Sequence, residues 1–237
     1  MHPVHIGVSG WAYAAWKPGF YPAKTPSAKF LAYYATQMNT VEVNYTFRTL
    51  PAAKTLAGWI DATPADFIFA VKANQRITHI KRLKDIASDL AAFYNAIAPL
   101  RDAGRLGPVL FQLPPFVKAD APLLRDFLAQ LPAGYRHAIE FRHDSWFNDH
   151  TYAAMRDRDV ALCIAESDGL KVPEVQTATF AYFRFRQSDY GAAELKRLEE
   201  IVGRTAAERE VFAFMKHEED PQCALNAVAL LRALQSA

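Results

Sequence analysis

Eight short runs rich in Val, Ile and Phe recur along this 237-residue chain, and amphipathic segments separate nearly all of them. Such alternation points to a parallel sheet, because a helical crossover returns the chain to start the next strand in the same direction. The strand candidates are His5–Gly10, Thr40–Phe47, Phe67–Asn74, Pro108–Leu113, His137–Arg142, Val160–Ser167, Phe180–Arg186 and Glu210–His217. Their β-branched and aromatic content suits a pleated, packed surface. Helical spacing of apolar residues marks Ala28–Gln37, Ala52–Ala62, Asp85–Leu100, Pro122–Leu131, His150–Arg158, Ala192–Thr205 and Cys223–Leu234. The link Asp168–Thr179, interrupted by Gly169 and Pro173, is too short and broken for a full helix. An irregular crossover is expected there, after the sixth strand.

This pattern predicts an α/β fold, a (β/α)8 TIM-type barrel occupying residues 1–237 as a single domain. A doubly wound sheet is the competitor. It carries a glycine-rich phosphate loop after its first strand, and GVSGW lacks the third glycine of that loop. Hydrophobic residues make up 51% and charged residues 22%, enough apolar material for a sizeable core. The net charge of +2 does not by itself imply nucleic acid as a partner. Cys163 and Cys223 lie far apart in apolar contexts and read as free thiols in a reducing compartment. The start, MHPVHIGVSGW, has no basic segment leading into an apolar one, and no apolar run is long enough to span a bilayer. A soluble cytoplasmic protein with no membrane association is expected, its oligomeric state left open.

The segment RHAIEFR places Glu140 and Arg142 two residues apart in an apolar strand. Side chains alternate along a strand, so the two charges share one face and Ile139 and Phe141 the other. Burying a charge without a partner costs several kcal/mol or more, so these two need partners or a task. Other strands repeat the pattern. Glu42 lies with Asn44, Lys72 with Ala70 and Asn74, Gln112 with Leu110, Arg184 with Tyr182 and Arg186, and Ser9 with Gly7. Glu166 lies with Leu162 and Ile164. Most of these residues fall near the C-terminal ends of their strands, where barrel active sites sit.

Glu42, Glu140 and Glu166 are candidate general acids or bases, since a carboxylate in a dry mouth near other carboxylates has a raised pKa. Lys72, Arg142 and Arg184 are candidate anion ligands, the arginines in bidentate fashion. Lys72 as a Schiff-base nucleophile is the less favoured reading, because Glu42 or Glu140 nearby would keep it charged. Asn44 and Gln112 would orient a substrate by hydrogen bonds. His79, His143 and His217 follow strands but show neither HxH nor HxxxH spacing, so no metal and no cofactor is expected. The loop GWAYAAWKPGFYP carries Trp11, Tyr13, Trp16, Phe20 and Tyr21. Its aromatics read equally as a stacking surface for a base or sugar and as a self-packed lid.

The segments IGVSGWAYAAWKPGFYP, TVEVNYTFRTLP, FAVKAN, VLFQLPPFVK, AIEFRHDSWF and CIAESDG, in this order, resemble the DUF72 (YecE-like) family over nearly the whole chain. The resemblance implies a (β/α)8-type barrel and no particular reaction. It also implies that Ser9, Gly10, Trp11, Tyr13, Glu42, Asn44, Lys72, Gln112, Glu140 and Arg142 occupy the family's signature positions. Two stretches depart from the usual pattern, RFRQ at Arg184–Gln187 in place of RLHG and FMKH at Phe214–His217 in place of FNN.

The expected function is a metal-independent enzyme acting on an anionic or phosphate-containing substrate at the C-terminal mouth. Glu42, Lys72, Glu140 and Arg142 are its candidate catalytic residues. Ser9, Trp11, Tyr13, Asn44, Gln112, Glu166 and Arg184 are its candidate substrate contacts. Two alternatives stay open, a nucleic-acid-binding or nucleic-acid-processing barrel and a non-catalytic binding module with a structural charge ring.

Overall fold

The computed structural model describes residues 1–166, 169–187, 190–216 and 220–235. Among these the eight expected strands form one parallel sheet in the order β1-β8-β7-β6-β5-β4-β3-β2, a nearly closed (β/α)8 barrel. The strands are β1 (Val4–Val8), β2 (Thr40–Val43), β3 (Ile68–Lys72), β4 (Leu106–Gln112), β5 (His137–Glu140), β6 (Val160–Glu166), β7 (Phe180–Phe185) and β8 (Glu210–Met215). The helices are α1 (Phe30–Tyr34), α2 (Tyr45–Arg48), α3 (Ala53–Asp61), α4 (Ala87–Asp102), α5 (Ala121–Gln130), α6 (Asp149–Arg156), α7 (Ala192–Ala206) and α8 (Gln222–Gln235). The described part of the link between β6 and β7 contains no helix, as its glycine and proline predicted.

Paired residues on neighbouring parallel strands point to the same side, so the register sorts the two faces. Glu42 pairs with Ala70, Lys72 with Leu110, Gln112 with Glu140 and Ala165 with Arg184. These residues face the barrel interior. Their neighbours in sequence, such as Val41, Val71, Phe111 and Ile139, face the helices and join one buried apolar cluster. Burial of these side chains, each about 1.5–3 kcal/mol by apolar area, is what fixes the register.

Strand β2 is shorter than the sequence suggested. The Thr46 hydroxyl donates to the carbonyls of Val43 and Lys72, at 3.1 and 2.6 Å, and the chain turns into α2. A side-chain hydroxyl thus replaces ladder bonds at the strand end. Asn44 therefore lies at the head of α2, half-buried, rather than in the strand beside Glu42.

The sheet closes between β1 and β2 through a single bridge, Ser9 with Glu42. Side chains complete the seam. The Tyr34 hydroxyl accepts the Val8 amide and donates to the Thr40 carbonyl, both at 2.9 Å. Asn39 accepts the Ile6 amide at 3.0 Å and donates to the Val4 carbonyl at 2.8 Å. Gly7 permits this closeness, because a Cβ there would stand 2.1 Å from the Thr40 carbonyl oxygen.

Candidate functional site

At the C-terminal end of the barrel, side chains from β2, β3, β4, β5 and β7 interlock with Ser9, Arg142 and Arg186, which lie just beyond β1, β5 and β7. Arg184 is fully buried at the centre. Its Nη2 donates to Glu42 Oε1 at 2.8 Å and its Nη1 to Glu140 Oε2. Glu42 also accepts the Ser9 hydroxyl on Oε1 and the Tyr182 hydroxyl on Oε2, each at 2.7 Å. Glu140 Oε2 accepts Gln112 Nε2 at 2.9 Å, while its Oε1 accepts Arg142 Nε at 2.8 Å and Arg186 Nη1 at 3.3 Å. Gln112 Oε1 in turn accepts Lys72 Nζ at 2.8 Å. Small inward residues on β6, Ala161, Cys163 and Ala165, leave room for the Arg184 side chain.

The carboxylates do not titrate as the sequence suggested. Burial alone would push Glu42 up, but the Arg184 guanidinium and the bonds from Ser9 and Tyr182 override it, and its pKa falls below the usual range. Glu140 is likewise held well below that range, burial being outweighed by Arg184, Arg142 and the Gln112 amide. Both are therefore fixed anions rather than acids poised near neutrality.

Lys72 behaves in the opposite sense. Its Nζ lies 4.2 Å from the centroid of the Phe47 ring, and no carboxylate among the described residues lies within ion-pair distance of it. Burial, with Arg184 second, brings its pKa from 10.5 to about 8. Glu42 and Glu140 still favour the charged amine, as expected from the sequence, but burial and Arg184 outweigh them, since neither carboxylate pairs with Lys72 directly.

Glu166 does not join this group. It lies on the outer face of β6, with Leu162 and Ile164, and bonds Arg197 of α7 and the Tyr190 hydroxyl. The alternation itself carried the signal, since small residues of β6 take one face and Glu166 sits with the large apolar ones.

The loop after β1 is largely a self-packed lid. Trp16, Phe20 and Tyr21 are buried, and Tyr21 stacks on Phe30 of α1 at 4.1 Å between centroids. Those three rings are unavailable for stacking on a ligand. Trp11 stays half-buried, edge-on to Trp59, and the Tyr13 hydroxyl donates to the Ser9 carbonyl at 2.8 Å. His217 lies outside the described residues. No cluster of three or more His, Cys, Asp or Glu suited to a metal ion occurs among the described residues.

A cavity of about 220 Å³ opens beside this network, with Glu140, Arg142, Ala165, Leu170 and Arg186 in its wall. A roomier one of about 420 Å³ lies between α5 and α6, away from the strand ends, and holds none of the interlocked groups. Arg186 was read from sequence as sharing a face with Arg184 and as part of a departure from the family pattern, not as a site residue. The structure brings it onto Glu140, which the shared face of Arg184 and Arg186 had foreshadowed.

The chain matches the family model "Protein of unknown function DUF72" over residues 5–237. It is 32% identical over 160 residues to the UPF0759 protein YunF of Bacillus subtilis, a match covering 63% of this chain and 54% of that protein. It is 30% identical over 145 residues to the UPF0759 protein YecE of Escherichia coli, covering 61% and 50%. The matched stretches thus span about half the length of these relatives. The crystal structure of a DUF72 family protein from Thermotoga maritima superposes with a TM-score of 0.89 at 29% identity, covering 99% of this chain and 100% of that one. A DUF72 family protein from Enterococcus faecalis, at 19% identity and a TM-score of 0.83, shares the fold, covering 98% of this chain and 95% of that one.

Proposed function

Since the chain belongs to the DUF72 family, whose description assigns no reaction, its chemistry must be read from the site, and we propose that the barrel mouth recognises an anionic group, phosphate or carboxylate, of a small molecule. The observation that carries this reading is Arg142. It gives only Nε to Glu140, and neither Nη group has a partner among the described residues. Its side chain is 27% exposed at the wall of the cavity. A guanidinium with an open edge is the group best shaped for bidentate recognition of an oxyanion.

The balance of charge supports the same reading. Lys72, Arg142, Arg184 and Arg186 surround two carboxylates, an excess of two positive charges in a partly buried space. Low-dielectric walls concentrate that field at the opening. The reading treats Glu42, Glu140 and Arg184 as the fixed frame that holds the anion-facing cations, and treats the protein as an enzyme acting on the bound anion.

Titration of the chain with inorganic phosphate and with acetate at low ionic strength, followed by amide and arginine side-chain NMR, tests this. Saturable shifts at Arg142 are expected, weakened at least tenfold by Arg142→Gln. Absence of binding by both ions, or unchanged affinity in the variant, overturns it.

A second reading rests on the segments that follow β2, β3 and β4. Tyr45, the first residue of α2, and Phe116, in the turn after β4, are exposed, and Arg82 lies 5.1 Å from the Phe116 ring. Aromatics beside cations suit single-stranded nucleic acid. Salt-dependent oligonucleotide binding that is lost in Phe116→Ala would favour it over a small anion.

A further inference from the structure

Lys72 ends β3 with its amine 2.8 Å from Gln112 Oε1 and against the face of Phe47, and the residue is 8% exposed. Simple anion binding makes no use of so buried an amine, for which a cation at the rim would serve as well. The charged groups around it come from every side. Glu42 stands on β2, Glu140 on β5, Arg184 on β7 and Lys216 just beyond β8, while His79 lies in the loop that follows β3. The two carboxylates favour a charge on Lys72, but they are bound to arginines, and burial together with Arg184 and Lys216 outweighs them. With burial acting first and Arg184 second, about half of the amine is unprotonated at a pH near 8. A desolvated lysine near another cation is the arrangement that produces a nucleophilic amine.

We propose that Lys72 is a nucleophile that condenses with the carbonyl carbon of a small aldehyde or ketone bearing a phosphate or carboxylate group. The proposal rests on the anion site described above, where Arg142 and Arg186 hold the charged end of the substrate. The lone pair of the neutral amine attacks the carbonyl carbon, and the carbonyl π pair moves to oxygen, which takes up one of the two amine protons. The hydroxyl so formed takes the second amine proton and departs as water as the nitrogen lone pair forms the C=N bond. The resulting imine takes up one proton and becomes an iminium. The step consumes no oxidant and no reductant. Gln112 positions the amine through Oε1 while its own amide is anchored on Glu140.

Reductive trapping tests the assignment. The full chain is incubated with pyruvate, and separately with glyceraldehyde 3-phosphate, in the presence of cyanoborohydride, and modified lysines are mapped by peptide mass spectrometry. Lys72 is expected to be modified faster than any other lysine, at a rate that climbs through a pH of about 8, and inorganic phosphate is expected to slow it. Lys72→Arg should remove that adduct, and the pH profile and phosphate protection in the unaltered chain need no variant. Phosphate binding with no preference for Lys72 would overturn the role of the amine and leave the anion site standing. Failure of both phosphate binding and trapping would overturn the two together.

Discussion

Arg184 and Glu42, 142 residues apart in sequence, pair at 2.8 Å with neither side chain exposed to solvent. Glu140 holds the other arm of the same guanidinium and is equally buried. One guanidinium therefore bridges two buried carboxylates, of which Glu140 also meets Arg142 and Arg186 while Glu42 has no other ion-pair partner among the described residues. Removing it leaves Glu42 uncompensated, and breaking a buried pair costs about 3–5 kcal/mol. Arg184→Met is expected to lower the unfolding free energy by at least that much in urea titrations. Glu166→Gln is expected to cost under about 1 kcal/mol, because the Glu166–Arg197 pair lies at the partly exposed outer surface.

How far this arrangement was legible in the sequence depended on which contacts are local. Period-two alternation located Glu42, Lys72, Gln112, Glu140 and Arg184 on inward faces because strand geometry is a local property. It misassigned Glu166 because charge was allowed to outweigh the company of Leu162 and Ile164. It also placed Asn44 in a strand, since nothing local announces that Thr46 will cap two strand ends at once. The protonation states were the least legible. They follow from which carboxylate meets which cation across the barrel, and the pairing of Glu42 with Arg184 rather than Lys72 has no trace in either segment alone.

Acid should unfold the protein in two stages. His137 is buried on the outer face of β5 with Nε2 lacking a partner among the described residues. Burial, with Arg158 second, lowers its pKa from 6.5 to about 4. The unfolded chain binds a proton in that interval that the folded chain does not, so stability falls as pH drops from 6.5 toward 4. Glu42 and Glu140 have depressed folded values, so their contribution is complete above the ordinary value of 4.5 and is lost below it. Urea midpoints measured from neutral pH downward should show both slopes, and His137→Phe should flatten only the first.

The seam between β1 and β2 should be the most locally fragile part of the sheet. Tyr34→Phe removes one hydroxyl that serves both the Val8 amide and the Thr40 carbonyl. Leaving buried backbone groups unpaired costs about 1–3 kcal/mol. Hydrogen exchange should accelerate at Val8 before it does so in β4 or β5. Equal acceleration across all strands would mean that the barrel opens as one unit rather than at this seam.

Gln112 is the neutral spacer between an anion and a cation, taking Lys72 Nζ on one atom and giving its amide to Glu140 on the other. Replacing it with a carboxylate of nearly the same shape would add a negative charge beside the amine and beside Glu140. Opposite charge within hydrogen-bond distance favours the protonated amine, whereas like charge beside Glu140 favours a protonated carboxyl. Gln112→Glu is therefore expected to move the Lys72 pKa from about 8 back toward 10.5. Nζ-labelled lysine NMR across a pH titration reads this directly. Gln112→Leu supplies the control, since it removes the acceptor without adding charge and should leave Lys72 at or below its present value. A Lys72 resonance that titrates identically in the wild-type chain and in Gln112→Glu would show that the network does not set the amine's charge.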